Sequence, residues 1–265
     1  MCGRLEGRKV QRVGYSTLAV SLPGEWVKEV GLAKGDVVIM EKREDGRLEL
    51  MPSAMVQRKK DRRETVVDAD LCDERGVLTR VIVGNYVLGR DQIVVTSSHR
   101  ITPLHLEEIG TATGILMGLS VIEETPNHVV MQCSIDPEKF PLDVAMRRMH
   151  SLSMTMYREA VEAFLKLDSD LAETVARREE QADKMYWLIV RLLLSAQQDP
   201  EMARKIGVGK MLRVVDDRLI AKFLEIICDY SEIIARRVIS ITEKSGKIPR
   251  SWADALEELS GLAFT

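Results

Sequence analysis

The chain has 265 residues, 45% hydrophobic and 30% charged, a balance that excludes a disordered or fibrous protein and leaves room for two or three domains. Its net charge of −3 excludes a uniformly basic nucleic-acid binder. The charge is uneven, however: residues 1–65 carry 14 Lys/Arg against 10 Asp/Glu, and the other 200 carry 24 against 31. A basic head on an acidic body predicts that the two parts meet different partners.

Cys2, Cys72, Cys133 and Cys228 form no CxxC pair, which argues against a disulfide framework or zinc ribbon and for a reducing compartment. The first 30 residues are charged throughout, without a signal-type apolar run. The longest apolar stretch, WLIVRLLL, is broken by Arg191, so no 18-residue span exists. The expectation is a cytoplasmic soluble protein.

In chain order, KVQRV (9–13) and TLAVSL (17–22) read as strands around a Gly14-Tyr15-Ser16 turn. Pro23 opens a short helix, where its missing N–H costs nothing, and Gly31 ends it as a C-cap. DVVIME (36–41) and RLELM (47–51) form a hairpin around Glu44-Asp45-Gly46. Two hairpins and one helical turn bury little surface in 52 residues, so this unit is expected to interleave with a second copy. RKKDRR (58–63) follows, either a solvated linker or a clamp on a nucleic-acid backbone.

Residues 66–135 read as α/β. A helix is expected over 72–88, a buried strand over QIVVT (92–96), a helix capped by Thr102 and started by Pro103, and a hairpin of 119–125 with 128–135. SSHRIT (97–102), just before a helix, is either ordinary capping or an anion site. From Leu142 onward the pattern is helical: 142–167, 169–197, 207–244 and a tail at 251–262. Met146, Met149, Leu152, Met156, Ala160, Ala163 and Leu167 form an apolar stripe on the first. Leu212, Val215, Leu219, Phe223, Ile226, Tyr230 and Ile233 form one on the third. The expected fold is α+β: a β-rich head over 1–55, a basic linker over 56–65, an α/β segment over 66–141 and an antiparallel three-helix bundle over 142–265.

The bundle carries an unusual pattern. Glu179 and Asp183, four apart in RREEQADKMYW, share a helix face with Val175, Ala182, Tyr186, Ile189 and Leu193. Glu225 and Asp229 repeat the spacing in LEIICDYSEI. Two acids one turn apart repel mildly in water and more strongly if desolvated. A divalent cation would relieve this, because carboxylates are hard oxygen ligands. The alternative is a solvated charged face, with Lys222, Glu225, Asp229, Glu232 and Arg236 laced by i,i+4 pairs.

VQRVGYSTLAVSLPGEW (10–26), GLAKGDVV (31–38) and DGRLELMP (45–52) resemble the AbrB/SpoVT/MazE family of swapped-hairpin DNA-binding heads. That resemblance implies a homodimer binding DNA, with Arg8, Lys9 and Arg12, helped by Arg4, meeting phosphates. LAETVARREEQADKMYWLIVRLL (171–193) and KFLEIICDYSEIIARRV (222–238) resemble a three-helix repeat of the PhoU family. It implies a multinuclear iron or zinc site, with Glu179, Asp183, Glu225 and Asp229 as ligands. Departures from the family are Cys228 in place of its usual Gly, Tyr230 and Ser231 after the Asp, and the lack of a second full set of ExxxD helices.

The joint pattern is similar to archaeal-type phosphate-uptake regulators. It implies a transcriptional regulator of phosphate uptake or, alternatively, an adaptor acting on a phosphate transporter or sensor kinase, its head serving only to dimerise. An enzyme is not expected. Ferritin-like di-iron sites need Glu-x-x-His, whereas Ala182 and Cys228 stand three after the glutamates, and no nucleophile-base set or Gly-rich phosphate loop occurs. An antitoxin is not expected either, because 66–265 reads as globular rather than as a short disordered tail.

Overall fold

The computed structural model describes residues 6–42, 46–54, 63–209, 213–244 and 247–263. Arg4, Glu44, Asp45, most of the RKKDRR run and Leu212 lie outside them. The chain divides into a head, residues 1–62, and a body, residues 63–265.

In the head, β1 (Gln11–Val13) pairs antiparallel with β2 (Thr17–Ala19), and β3 (Val38–Lys42) with β4 (Leu48–Pro52), as two separate two-stranded sheets. Between them lies α1 (Gly24–Glu29), with Pro23 as its N-cap. Gly31 takes the left-handed φ of 67° that ends α1, a conformation glycine reaches without a Cβ penalty. Among the described residues of the head, only Pro52 is buried.

The body begins with β5 (Glu64–Asp68), a strand the sequence does not announce because only one of its faces is covered. It runs parallel to β6 (Gln92–Thr96), through the crossover helix α2 (Val77–Val87). Then come α3 (Pro103–Ile115) and the hairpin β7 (Leu119–Glu124) with β8 (His128–Cys133). The sheet order is β5-β6-β8-β7, with β6 and β8 antiparallel. The helix expected over 72–88 starts five residues late. Its donors at Gly76 and Thr79 are taken by Glu108 of α3, at 2.6 and 2.9 Å, so a distant carboxylate supplies the cap that local sequence lacks. The SSHRIT run resolves as capping. Thr102 accepts from the His105 N–H, and the donors of Ser97 and Ser98 converge on the chain's own Asp70. These hydrogen bonds hold the Asp70 carboxyl down at about 2.

The bundle consists of α4 (Leu142–Lys166), α5 (Ser169–Gln198) and α7 (Arg213–Glu243), packed pairwise. The short α6 (Pro200–Lys205) precedes α7, and α8 (Arg250–Ala263) lies against α4. Residues 66–141 and 142–265 belong to one compact unit, because α2 and α3 pack on both the sheet and α5. Arg191, read in the sequence as a break in an apolar run, joins the two parts. It is 1% exposed. It donates to the carbonyls of Tyr86 and Arg90 at 2.5 and 2.9 Å and pairs with Asp91 at 2.7 Å. Its guanidinium also lies 4.8 Å from the centre of the Tyr86 ring.

The stripe expected to bury α7 faces outward. Val215, Leu219, Phe223, Tyr230 and Ile233 are exposed, whereas Val214, Ala221, Leu224, Cys228, Ala235 and Val238 are buried. Small residues every seven positions, Ala221, Cys228 and Ala235, let α7 approach its neighbours closely. The larger residues mark a different face. On α4 the stripe is right: Met149, Met156, Ala160 and Ala163 are buried. Among the described residues no helix is long and apolar enough to cross a membrane.

Candidate functional site

The carboxylate patch is built by the seam between α5 and α7. Asp168 caps α5 by accepting from the Leu171 N–H at 2.9 Å. Leu167, left-handed at φ 52°, turns the chain back from α4. Along α5, Val175, Ala182, Tyr186, Ile189 and Leu193 are all buried, so the stripe read from the sequence is the core-facing side. It draws Glu179 and Asp183 into half-buried positions. On α7, Glu225 is buried at 8% exposure, while Asp229 and Glu232 are half-buried.

The four expected residues share one electrostatic environment. Burial, then the charges of Asp183, Glu232 and Asp229, pushes the Glu179 carboxyl up to about 7. Protonated, Glu179 donates a hydrogen bond to Asp183, which favours the Asp183 carboxylate. Burial and the charges of Glu225 and Glu232 outweigh this and raise Asp183 as well. Asp229 is raised by burial and then by Glu225, against the opposing pull of Lys222. Such mutual shifts arise where like charges are brought together with incomplete compensation.

Partial compensation comes from Lys222 and Arg236. Lys222 forms an ion pair with Glu225, and its Nζ lies 5.4 Å from the centre of the Tyr186 ring. The Arg218 guanidinium lies 5.0 Å from the same ring. Arg236 binds Glu232 at 2.6 Å. The charged face expected on α7 is therefore laced by ion pairs, as its solvated alternative requires, but it is turned toward α5 rather than toward open solvent. Sequence reasoning placed Glu232 and Lys222 on that face without seeing that they reach the α5 acids. Periodicity along one helix contains no information about the neighbouring one.

Cys228, where the PhoU pattern commonly has Gly, falls on the core side of α7 at 0% exposure. Burial, then Asp229 and Glu225, pushes its thiol up to about 12, so it is a neutral packing residue at neutral pH. Ser231 is buried and donates to the Ile227 carbonyl at 2.6 Å; Tyr230 is exposed.

The donor set of hard carboxylate oxygens fits a divalent cation. The side-chain arrangement is less favourable: among the described residues no group of three or more His, Cys, Asp or Glu stands close enough to hold one. Glu225 and Glu232 are instead engaged by Lys222 and Arg236.

In the head, Arg8, Lys9 and Arg12 are all exposed. Arg12 stands on β1 opposite Leu18 of β2. Arg8 precedes the strand and pairs with Glu6 at 2.5 Å. Arg8 and Lys9 precede β1, and Arg12 is its middle residue.

Two family models match the chain. Residues 146–238 match the PhoU domain, and residues 11–59 match the antidote-toxin recognition domain MazE of bacterial antitoxins. The chain thus carries a MazE/AbrB-like head and a PhoU domain, the latter covering α4 through most of α7 and including all four expected carboxylates. No curated protein and no solved structure matches it.

Proposed function

We propose that the protein is a DNA-binding transcriptional regulator of phosphate uptake, acting in the cytoplasm as a homodimer through its head. The PhoU domain is its sensor or partner-binding module. The observation carrying this reading is the union, in one chain, of a MazE-type head that buries almost nothing by itself and a PhoU domain with a charge-coupled carboxylate patch.

Two-stranded sheets with no covered face are unstable alone. Val13, Leu18, Ile39 and Met40 are exposed in the head, and a second head laid across them removes this apolar surface from water. The same pairing doubles the set of Arg8, Lys9 and Arg12. Long cationic side chains neutralise DNA phosphates and release counterions, which gives affinity without sequence choice.

In the body, Glu179, Asp183, Glu225 and Asp229 would hold iron, zinc or another divalent cation, which supplies the positive charge that the patch lacks. Binding requires Glu179 to lose its proton and Lys222 to leave Glu225. The patch has no catalytic role in this reading.

Titration of labelled duplex DNA at low and moderate salt tests the head. The wild type is expected to bind with log K falling linearly in log salt. Arg8→Ala/Lys9→Ala/Arg12→Ala should lose affinity, with the slope reduced by about 0.9 for each phosphate contact removed. No duplex affinity at low salt would overturn the reading and leave an adaptor that contacts a phosphate transporter or sensor kinase. Elemental analysis of unchelated protein beside Glu179→Ala/Glu225→Ala tests the metal, and equal content in both removes the site.

A further inference from the structure

The exposed side of α7 has no role in either proposed site. Phe223 and Tyr230 are each 63% exposed, and Val215, Leu219, Ile220 and Ile233 are about half-exposed. All six fall on one side of a single helix, opposite the Ala221, Cys228 and Ala235 face and beside the carboxylate face. A continuous stripe of this kind is on the order of several hundred Å², the size at which apolar surface marks an interaction site.

The arrangement of residues along the stripe identifies its occupant. Phe223 and Tyr230 are equidistant from the midpoint between Ile226 and Ile227 in the numbering, and so are Ile220 and Ile233. Beyond them, at equal distances again, stand Asp216 and Arg237. Both are exposed, and among the described residues neither has an ion-pair partner.

If two copies of α7 lie antiparallel about that midpoint, Phe223 meets the partner's Tyr230 and Ile220 meets the partner's Ile233. Asp216 then comes level with the partner's Arg237, and the two-fold repeats each contact. Apolar pairs fill the centre, and an opposite-charge pair closes each end. A parallel pair would instead set Asp216 beside the partner's Asp216 and Arg237 beside the partner's Arg237, which repel.

We propose that the apolar face of α7 is a self-association surface, on which a second copy of this chain docks its own α7 antiparallel about the midpoint between Ile226 and Ile227. The stripe is smaller than the roughly 800 Å² per partner of a standard stable interface. Alone it gives a weak dimer; between copies already joined elsewhere, the contact becomes effectively intramolecular and stronger. The contact shares with the proposed function only the premise of a second copy, not the pairing of the heads.

Position-dependent cross-linking tests it in the full chain carrying Cys2→Ser. Cys72, Cys133 and Cys228 are buried. With a short bismaleimide, Ile226→Cys is expected to link to its own counterpart beside the two-fold. Val215→Cys is expected to remain unlinked, because its two copies stand about 35 Å apart along the axis at 1.5 Å per residue. Asp216→Arg should reduce the Ile226→Cys link, and Asp216→Arg/Arg237→Asp should restore it.

Equal linking at both positions, linking at neither, or no rescue by the charge exchange overturns the proposal; covering of the stripe by the chain's own head or by another protein would give the second result. Light scattering separates this failure from failure of the head contact. A dimer with no link at Ile226→Cys keeps the head and removes the stripe. A link at Ile226→Cys, with Phe223→Glu/Tyr230→Glu returning the chain to monomer, keeps the stripe and removes the head.

Discussion

The two long bundle helices α5 and α7 look alike in sequence, each with an ExxxD pair beside a run of large apolar residues, yet they use those residues oppositely. On α5 the apolar residues flanking the acids are the core: Val175, Tyr186, Ile189 and Leu193 are buried. On α7 most of the large residues of the expected stripe are exposed, and Ala221, Cys228 and Ala235 pack inside with Val214, Leu224 and Val238. A helix can bury its small side to approach its neighbours and still present a large apolar side elsewhere. Residue size in a stripe therefore does not say which side faces the core of its own chain.

The largest expected effect bears on α5. Arg191→Met should strongly destabilise the body, by roughly 3–5 kcal/mol, because Asp91 loses its buried partner and the carbonyls of Tyr86 and Arg90 lose their donor. Thermal or denaturant unfolding followed at Trp187 measures it. A loss under about 1 kcal/mol would mean that α5 does not depend on this anchor to hold the α/β segment.

Next is the small face of α7. Ala221→Leu should cost about 1–3 kcal/mol by overpacking the seam, although Leu is the better match to the apolar pattern. Phe223→Ser, on the exposed side, should cost little in a dilute monomer. Comparing the two by denaturation inverts the ranking that the sequence pattern alone would assign; equal costs would place Phe223 inside the bundle.

The smallest effect concerns pH and the seam that both helices share. The Glu179 carboxyl is raised to about 7 in the folded chain, against an ordinary value near 4.5. The folded state therefore holds more protons than the unfolded one between those values. The stabilising contribution is complete below the unfolded value and is lost as pH rises through about 7. Metal-free protein should melt at a lower temperature at pH 8 than at pH 5.5, and Glu179→Gln should flatten that dependence. An unchanged slope in Glu179→Gln would show that the proton resides elsewhere.

Much of this molecule was legible in the sequence. The helices of the bundle, the Thr102 cap, the β7–β8 hairpin and the Gly31 turn follow from periodicity and local hydrogen bonding, which involve residues only a few positions apart. Both domain types were legible from runs of residues that the family matches then covered. The acidic residues Glu179, Asp183, Glu225 and Asp229 were singled out by spacing, because i and i+4 on one helix share a face whatever the fold. Glu232 and Lys222 were visible as charges, but their reach to the α5 acids was not.

The sequence by itself determined the helical periods, the caps, the uneven charge and the doubled acidic spacing, since each depends on short-range geometry. Only the tertiary structure decided that Glu108 caps α2, that Arg191 ties the sheet segment to the bundle, and that α7 buries its small residues. Each of these depends on which distant segment lies alongside, and a side chain's partner across a seam is set by packing rather than by its neighbours along the chain.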